Sequence, residues 1–484
     1  MLQRIRVKNF KSLKDLDYKC ANLNLLTGLN GAGKSSFVQL LLLMREVSKG
    51  WHSGENLAHT KVASFGTYRD LRYCYALPNE TVSFAATFSH RLVSDVFEDD
   101  PGRKSLFADA AFEDLMADGK KSDFTIVREL VDLSEDRRYV DVVHPSYNAI
   151  NHSKDFEEYI GFLNEHGGRE AVLAMDPGDS DEPFQLQKLE RILRERVKSV
   201  CAEVKKSDVE AAKVFERHWK GMKMVDAFRI KPKAIHEGRY LRGKKSESGS
   251  GFDPEGSDVV EFLYKFGRTT RLVKNNPMLF PHGEQVEDQY RDLIDQVNFW
   301  LEVVSPGATL KVERAELGDE ERFLASVNFD SDGEESPKEF KPENVGFGIS
   351  YILPVLVTLL SAKPEDIVIV ENPEAHLHPK GQAKMGELIA RAVASGVQVF
   401  VETHSDHVIN GIRVAVAEKI LKPEDVNIAF FERKEHGAEQ DGGADSKETY
   451  AEVRNIKVDD QGSLSEYPAD FMDEWNNQLM ELIS

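Results

Sequence analysis

The chain has 484 residues, of which 41% are hydrophobic, 9% aromatic and 30% charged, a composition that excludes a disordered or fibrous protein. Its length predicts about three core-sized units, or one large α/β domain that carries insertions. The 62 Lys and Arg against 83 Asp and Glu give a net charge of −21, so the averaged surface field repels phosphate polyanions. Any nucleic-acid contact therefore requires a local basic patch or a partner.

Cysteine usage and hydropathy predict the compartment. Cys20, Cys74 and Cys201 are odd in number and far apart, which argues against a disulfide framework and for a reducing environment. The N-terminal residues carry charges where a signal peptide needs an apolar core. The longest apolar stretch, 352–360, is about half as long as a membrane span. We expect a cytoplasmic protein without a membrane segment.

The sequence of the first 145 residues predicts several strands and one helix. Alternating apolar residues predict a strand over 2–10, and an apolar run predicts another over 23–27. A glycine loop follows, and then a helical pattern over 35–47. Further strands over 79–90 and 123–143 predict a small antiparallel layer.

The middle of the chain has a helical pattern from about residue 150 to 225. Apolar residues within it repeat at a/d-like spacing, at Leu186, Leu189, Leu193, Val197, Val200 and Val204. A seam this short favours a helical hairpin over an intermolecular coiled coil. Gly243–Gly256 and Asp330–Pro342 are polar loops, and 225–230 is a predicted strand.

From Asn344 onward, predicted helices and strands alternate. The helices are 350–361, 380–394 and 406–418, and the strands are 367–371, 397–402 and 426–431. This alternation is typical of a parallel sheet covered by helices.

The loop after the second strand matches the phosphate-binding motif GxxxxGK[ST] between Gly28 and Ser35. Its backbone amides form an anion-binding nest at a helix N-terminus. Lys34 is expected to reach the β- and γ-phosphates, and Ser35 to bind Mg²⁺. The predicted nucleotide-binding residues of this loop are Gly28, Asn30, Gly31, Ala32, Gly33, Lys34, Ser35 and Ser36.

A second group of motifs lies near the C-terminus. The apolar strand 367–371 ends in Glu371, where a P-loop enzyme holds magnesium through an acidic side chain. The sequence continues as ENPEAHLHP over 371–379, and ETHS follows over 402–405. These segments resemble the Walker B, D-loop and switch-histidine elements of ABC-class ATPases of the OLD, RecF and SMC-like group. Residues 344–350 lie where that class places its signature loop.

The resemblance covers residues 1–90 and 340–484. It extends to 467–473, which is similar to the tail of uncharacterised prokaryotic ATPases of this group. It implies an α/β fold, an ABC-type ATPase head with a P-loop parallel sheet and a small antiparallel layer, into which a mainly helical lobe is inserted. The implied division is an N-terminal head part over 1–145, the inserted lobe over 146–340 and a C-terminal head part over 341–484.

The same resemblance implies how ATP and Mg²⁺ would be used. In this class the P-loop of one protomer meets the signature loop of another, so ATP joins a head-to-tail dimer. Gly346, Gly348 and Ser350 would then contact the γ-phosphate across the interface. His404 would contact the γ-phosphate of its own protomer.

One position departs from the class pattern. The residue after the Walker B acid is usually a glutamate that polarises water, and here it is Asn372. An amide cannot accept a proton from water, so we expect slow, regulated hydrolysis with Glu374 as the base. The predicted catalytic set is Glu374, Glu371, His404 and Lys34, and the predicted metal ligands are Ser35 and Glu371. A non-hydrolysing ATP-dependent scaffold is the alternative.

The family resemblance further implies a prokaryotic anti-phage or DNA-maintenance role, in which the ATPase is a switch or sensor. OLD proteins carry a C-terminal nuclease, whereas Asp459-Asp460 here stands beside Gln461-Gly462 and is typical of a turn. We therefore expect the effector, a nuclease or toxin, to be a separate partner, beside self-association.

Three other interpretations of the sequence are open. A transporter subunit should show LSGGQ and a clear Q-loop, for which only the region 65–70 is suggested here. A metal-hydrolase site could use His376, His378, His404 and His407. A basic patch for DNA would comprise Lys198, Lys205, Lys206, Arg217, Lys220 and Lys223, although such charges more often form the solvated face of a helix.

Overall fold

A computed structural model gives the architecture, and the residues that it describes are 1–48, 71–76, 82–90, 122–130, 139–143, 221–227, 229, 235–237, 256, 258–273, 276–280, 287–317, 320–329, 338–344, 347–436 and 448–483. The chain forms two compact units. The first comprises 1–83, 131–136 and 217–484, and the second comprises 84–130 and 137–216. All the nucleotide-site motifs belong to the first unit. The division predicted at residues 145 and 340 stays a prediction.

The described strands and helices have the following bounds. The strands are β1 (Leu2–Phe10), β2 (Leu13–Lys19), β3 (Leu23–Gly28), β4 (Val82–His90), β5 (Ser122–Leu130), β6 (Tyr139–Val143), β7 (Lys223–Val225), β8 (Ile235–Glu237), β9 (Ala308–Leu317), β10 (Glu320–Phe329), β11 (Lys338–Phe340), β12 (Ile367–Glu371), β13 (Gln398–Glu402), β14 (Val426–His436) and β15 (Glu448–Ile456). The helices are α1 (Lys34–Ser48), α2 (Val259–Phe266), α3 (Leu293–Val304), α4 (Phe347–Ser361), α5 (Pro379–Ala394), α6 (Asp406–Ala417) and α7 (Glu474–Ile483).

The central sheet of the first unit has six strands in the order β15-β14-β3-β13-β12-β7. The neighbours from β14 to β7 are parallel, and only β15 is antiparallel to its partner. Strand β13, buried along its whole length, lies between the P-loop strand β3 and the Walker B strand β12. The carboxyl ends of these three strands therefore meet at one edge, as ligand sites of open α/β sheets require. The predicted α/β class with a parallel sheet is confirmed.

The beginning of the chain is joined to this sheet by one amide side chain. Gln398 Oε1 accepts a hydrogen bond from Leu2 N at 2.9 Å, and Gln398 Nε2 donates to Leu2 O at 2.7 Å. Gln398 is fully buried, so both of its polar ends must be satisfied within the protein. The N-terminal hairpin of β1 and β2 is thus fixed to the start of β13.

Two helices begin directly after the site loops because capping residues stand there. His378 Nδ1 accepts from Lys380 N at 3.4 Å, and Pro379 occupies the first turn of α5, where no amide donor is needed. Ser405 Oγ accepts from Val408 N at 3.2 Å and caps α6. The sequence fragments 371–379 and 402–405 therefore form strand–loop–cap–helix units.

Helix α4 begins three residues before its predicted start and continues through Pro354. Its length is almost entirely apolar and buried, with Ile352, Val355 and Leu356 inaccessible to solvent. It packs on α3, whose buried Trp300 donates from Nε1 to Met278 O at 2.8 Å. The helix belongs to the core of the unit, as its composition predicts.

Antiparallel pairing occurs in both units. In the first unit β1 pairs with β2, and β10 pairs with β8, β9 and β11. In the second unit β5 pairs with β6. The predicted strand 225–230 is observed earlier, at β7. Among the described helices, none is long and apolar enough to cross a membrane.

Candidate nucleotide-binding site

The loop between β3 and α1 has the backbone of a phosphate-binding nest. Gly28, Gly31 and Gly33 adopt φ values of +123°, +76° and +111°, which side chains disfavour. A Cβ at Gly28 would lie 2.2 Å from the carbonyl oxygen of Phe431 on the neighbouring strand. Glycine is therefore required at Gly28 both by conformation and by space.

Lys34, the first residue of α1, is folded back over this loop. Its Nζ donates to the carbonyls of Gly28 and Leu29, each at 2.9 Å, and the residue is 3% exposed. Burial lowers the pKa of the Lys34 ammonium, and the charge of Glu402 partly opposes that shift. When a phosphate is bound in the loop, Lys34 Nζ would donate to a charged phosphate oxygen in place of one of these carbonyls, because the charged oxygen is the stronger acceptor.

Ser35 and Ser36 connect the loop to the end of β13 and to the turn between β1 and β2. Ser35 Oγ donates to Glu402 Oε1 at 3.3 Å, and Ser36 Oγ accepts from Ser12 Oγ at 3.1 Å. Glu402 ends β13, and burial raises its pKa, while Lys34 and Ser35 lower it. The predicted metal ligand Ser35 thus faces a carboxylate that the sequence prediction did not assign as a ligand.

Glu371 lies beside Glu402, because the ends of β12 and β13 are paired in register. Glu371 Oε2 accepts from the amide of Ala227 at 3.2 Å. Burial, together with the charges of Asp226 and Glu402, raises the pKa of Glu371 to about 7. Such a carboxyl readily exchanges its proton for a cation.

The donors at this edge fit Mg²⁺ bound together with phosphates. Within the described ranges no group of three or more His, Cys, Asp or Glu residues forms a metal site by itself. Mg²⁺ in nucleotide sites usually takes one or two carboxylates and completes its shell with phosphate oxygens and water. The Ser35 hydroxyl and the carboxylates of Glu371 and Glu402 are donors of that type.

The turn after β12 has a strained backbone. Asn372 and His376 adopt φ values of +47° and +62°, which cost energy in residues with a Cβ. Asn372 N donates to Glu402 O at 2.8 Å, and Ala375 N donates to Asn372 O at 3.1 Å. The turn is thus attached to the end of the neighbouring strand.

The Glu374 side chain points from this turn to the loop after β13. Its Oε2 accepts from Thr403 Oγ1 at 2.9 Å, and its Oε1 accepts from His404 N at 3.0 Å. A carboxylate offers about four lone-pair sites, so Glu374 retains the capacity to bind water. The structure brings the proposed base and the switch histidine together.

The His404 side chain is exposed at this edge. Partial burial and the nearby Lys34 lower the pKa of its imidazole, and Glu374 opposes that shift. This shift favours the neutral ring, which is able to donate one hydrogen bond.

The beginning of α4 packs against the same turn. A Cβ at Gly348 would lie 3.0 Å from His376 O, and the rings of Tyr351 and His376 are 4.7 Å apart at an interplanar angle of 75°. Ser350 lies in the first turn of this helix. Gly346 and the suggested Q-loop region 65–70 lie outside the described residues.

Two predicted functional groups have other contacts. Lys223, one of the basic positions considered for a nucleic-acid patch or a solvated helix face, is 6% exposed and forms an ion pair with Asp366 at 3.2 Å, so both interpretations were wrong at this residue. Lys223 is buried because it lies on strand β7, which pairs with β12 in the central sheet. The remaining members of the patch lie outside the described residues. His378 of the metal-hydrolase alternative serves as the cap of α5.

Sequence reasoning recognised the ETHS segment without assigning Glu402 as a ligand, and it missed Asp226 and Arg229. Glu402 could have been found, because it ends the strand next to the P-loop strand in the same register as Glu371. Arg229 follows a strand of only three residues and matches no motif. The Arg229 side chain donates to the backbone carbonyls of Glu371 and Asn372, which are more than 140 residues away in the sequence.

Three family models match the sequence. One, described as an AAA ATPase domain, matches residues 1–219, and a second, described as "AAA domain, putative AbiEii toxin, Type IV TA system", matches 241–410. A third, described as "Protein of unknown function (DUF3696)", matches 421–482. No curated protein matches the chain.

Solved structures of SMC head domains are similar at low identity. The Smc head of Pyrococcus furiosus, solved with the C-terminal domain of ScpA, is 13% identical, with 100% of this chain and 99% of that chain covered and a TM-score of 0.39. The SMC head of Thermotoga maritima is 11% identical, with 94% and 99% covered and a TM-score of 0.38.

The two AAA-family models take in both groups of motifs, and the sheet brings those motifs to one edge. A phosphate-binding loop, an acid-ended strand and a histidine in the loop after the strand between them are the elements that the resemblance to ABC-class ATPases predicts. The chain is an ATP-binding P-loop ATPase that is similar to AAA-family ATPase domains over residues 1–219 and 241–410.

Proposed function

We propose that this ATPase is a nucleotide-driven dimerising switch that controls a separate effector in a prokaryotic anti-phage or DNA-maintenance complex. The observation that carries the proposal is the contact of the signature helix α4 with the turn after the Walker B strand, between Tyr351 and His376. A nucleotide held by the P-loop and a partner docked on α4 would both act on that turn.

The P-loop residues would hold the phosphates. The amides from Gly28 to Ser36, including Asn30, Ala32 and Gly33, would surround the β-phosphate, and Lys34 would neutralise the β- and γ-phosphates. Ser35 and Glu371, with Glu402 beside them, would hold Mg²⁺, which when bound balances the phosphate charge.

Hydrolysis would depend on Glu374 and His404. Glu374 would hold the attacking water and take its proton, and His404 would donate a hydrogen bond to the γ-phosphate. Since Glu374 already accepts two hydrogen bonds from the switch loop, the attacking water would have to use its remaining lone pairs. This supports slow turnover.

The second protomer would supply the signature residues Gly346, Gly348 and Ser350. We further propose a cytoplasmic location, supported by the widely spaced cysteines, and an effector of the nuclease or toxin class. DNA contact would need a local basic patch or the partner, because the overall charge opposes it.

Mass photometry with parallel phosphate release tests the switch. Wild type, Lys34→Ala and Glu374→Gln are compared with ATP–Mg²⁺, with ADP–Mg²⁺ and without nucleotide. We expect ATP to drive dimers in wild type, Glu374→Gln to retain them without turnover, and Lys34→Ala to remain monomeric. An oligomer that ignores ATP in all three proteins would contradict the switch and indicate a pre-assembled scaffold.

A further inference from the structure

Arg229 is a buried cation directly behind the Walker B strand. It is 4% exposed, and its Nη2 donates to Glu371 O at 2.5 Å and to Asn372 O at 3.4 Å. Nη1 donates to Asn372 O at 3.4 Å. The guanidinium therefore holds two successive carbonyls at the point where the strand becomes the turn.

A buried guanidinium is costly unless opposite charges compensate it. Burial lowers the pKa of Arg229 to about 10, and the carboxylates of Glu374, Asp226 and Glu371 oppose that shift. Arg229 thus stays charged at neutral pH. The carboxylates that compensate the Arg229 charge include the proposed base, Glu374, and the proposed metal ligand, Glu371. The guanidinium therefore interacts electrostatically with the groups of the nucleotide site.

Arg229 also connects the turn to the signature helix. Its Cζ lies 5.9 Å from the centre of the Tyr351 ring, and that ring makes an edge contact with His376. Arg229 contacts the residue that opens the strained turn, and Tyr351 contacts the residue near its end. A left-handed backbone persists only when its surroundings hold it in place.

We infer that Arg229 is a positioning residue for ATP hydrolysis: by holding the carbonyls of Glu371 and Asn372 and the ring of Tyr351, it fixes the turn that presents Glu374. The inference rests on the proposed role of Glu374. It predicts that loss of the guanidinium fork lowers turnover without an equal loss of ATP binding.

The test compares Arg229→Met and Arg229→Lys with the matched control Arg391→Met. Arg391 is also a largely buried arginine that holds a backbone carbonyl, Pro277 O at 3.3 Å, but it lies at the end of α5 away from the site loops. Phosphate release gives kcat, and a fluorescent non-hydrolysable ATP analogue gives affinity.

We expect Arg229→Met to lower kcat by about 10-fold or more while affinity changes by less than about 3-fold. Arg229→Lys keeps a charge but cannot bind two carbonyls as a fork. Its kcat should therefore lie between that of wild type and that of Arg229→Met. Arg391→Met should match wild type in both measurements.

A second pair of variants keeps the inference testable if Arg229→Met does not fold. Tyr351→Phe retains the ring and should lower kcat less than Tyr351→Leu, which removes it. The double variant Arg229→Lys with Tyr351→Leu should lose less kcat than the product of the two single losses predicts, because both substitutions act on one turn.

Wild-type kcat in Arg229→Lys and Tyr351→Leu would overturn the inference. So would an equal loss of kcat in Arg391→Met, or a loss of affinity as large as the loss of kcat. Glu374→Gln separates the two proposals. If Glu374→Gln turns over normally while Arg229→Met does not, the base assignment fails, and Arg229 positions the turn for hydrolysis through a group other than Glu374.

Discussion

Glu374 accepts a hydrogen bond from the backbone amide of His404 at 3.0 Å, so one carboxylate joins the turn after β12 to the loop after β13. The catalytic proposal and the conformation of the switch loop therefore depend on the same side chain. Replacing Glu374 should affect both, and the two effects are separable by measurement.

Glu374→Gln should reduce phosphate release by about 100-fold or more, because the amide cannot take a proton from water. ATP affinity should be preserved. The matched control is Glu418→Gln, an exposed glutamate at the end of α6. Steady-state turnover comparable to wild type in Glu374→Gln would exclude Glu374 as the base.

Glu402→Gln and Glu371→Gln should both raise the Mg²⁺ concentration needed for half-maximal turnover, by about 10- to 100-fold. Both side chains lie at the carboxyl ends of paired strands, and Ser35 donates to Glu402. Turnover is titrated with Mg²⁺ at fixed ATP, with Glu424→Gln, a surface variant, as the control. An unchanged Mg²⁺ requirement in Glu402→Gln would remove Glu402 from the metal site.

The metal-free protein should lose stability as pH rises from about 4.5 to about 7, because the pKa of Glu371 is raised from its usual 4.5 to about 7. In that range the folded state binds more protons than the unfolded state, so the free energy of unfolding falls. Above pH 7 the effect levels off. The total is about 3 kcal/mol at most.

Urea unfolding in EDTA at pH 5, 6, 7 and 8 measures this effect. Glu371→Gln should show a flatter profile, because its amide does not titrate. Glu402 contributes in the same direction, since burial also raises its pKa. A wild-type stability that rises between pH 5 and 7 while Glu371→Gln stays flat would contradict the expectation.

Two glycine variants of the P-loop should differ sharply in stability. Gly28→Ala places a Cβ 2.2 Å from Phe431 O, whereas Gly31→Ala meets no atom within 4 Å and costs only backbone strain. We expect about 1 kcal/mol or slightly more for Gly31→Ala and a clearly larger loss for Gly28→Ala. Urea unfolding checks the order, and equal losses would contradict it.

The sequence predicted those parts of the site in which chemistry and local structure coincide. Gly28 to Ser35 is recognisable because a nest needs glycines at fixed spacing, and Glu371 because a buried strand ends in an acid. Arg229 could not be predicted in this way, since its role arises from the pairing of β7 with β12 and not from its sequence neighbours. The burial of Lys223 was not predicted either, because a three-residue strand has too short a pattern to show which side chains are buried in the sheet.

The position of β3 between β13 and β14 has a consequence for biosynthesis. The P-loop is translated among the first 40 residues, yet both strands that flank it come from residues 398–436. A nascent chain would therefore emerge from the ribosome with its glycine loop already synthesised, while the two strands that flank β3 are not yet synthesised. Competence to hold ATP would therefore appear abruptly, only after most of the polypeptide has been synthesised, so that unfinished chains could not engage in the nucleotide cycle.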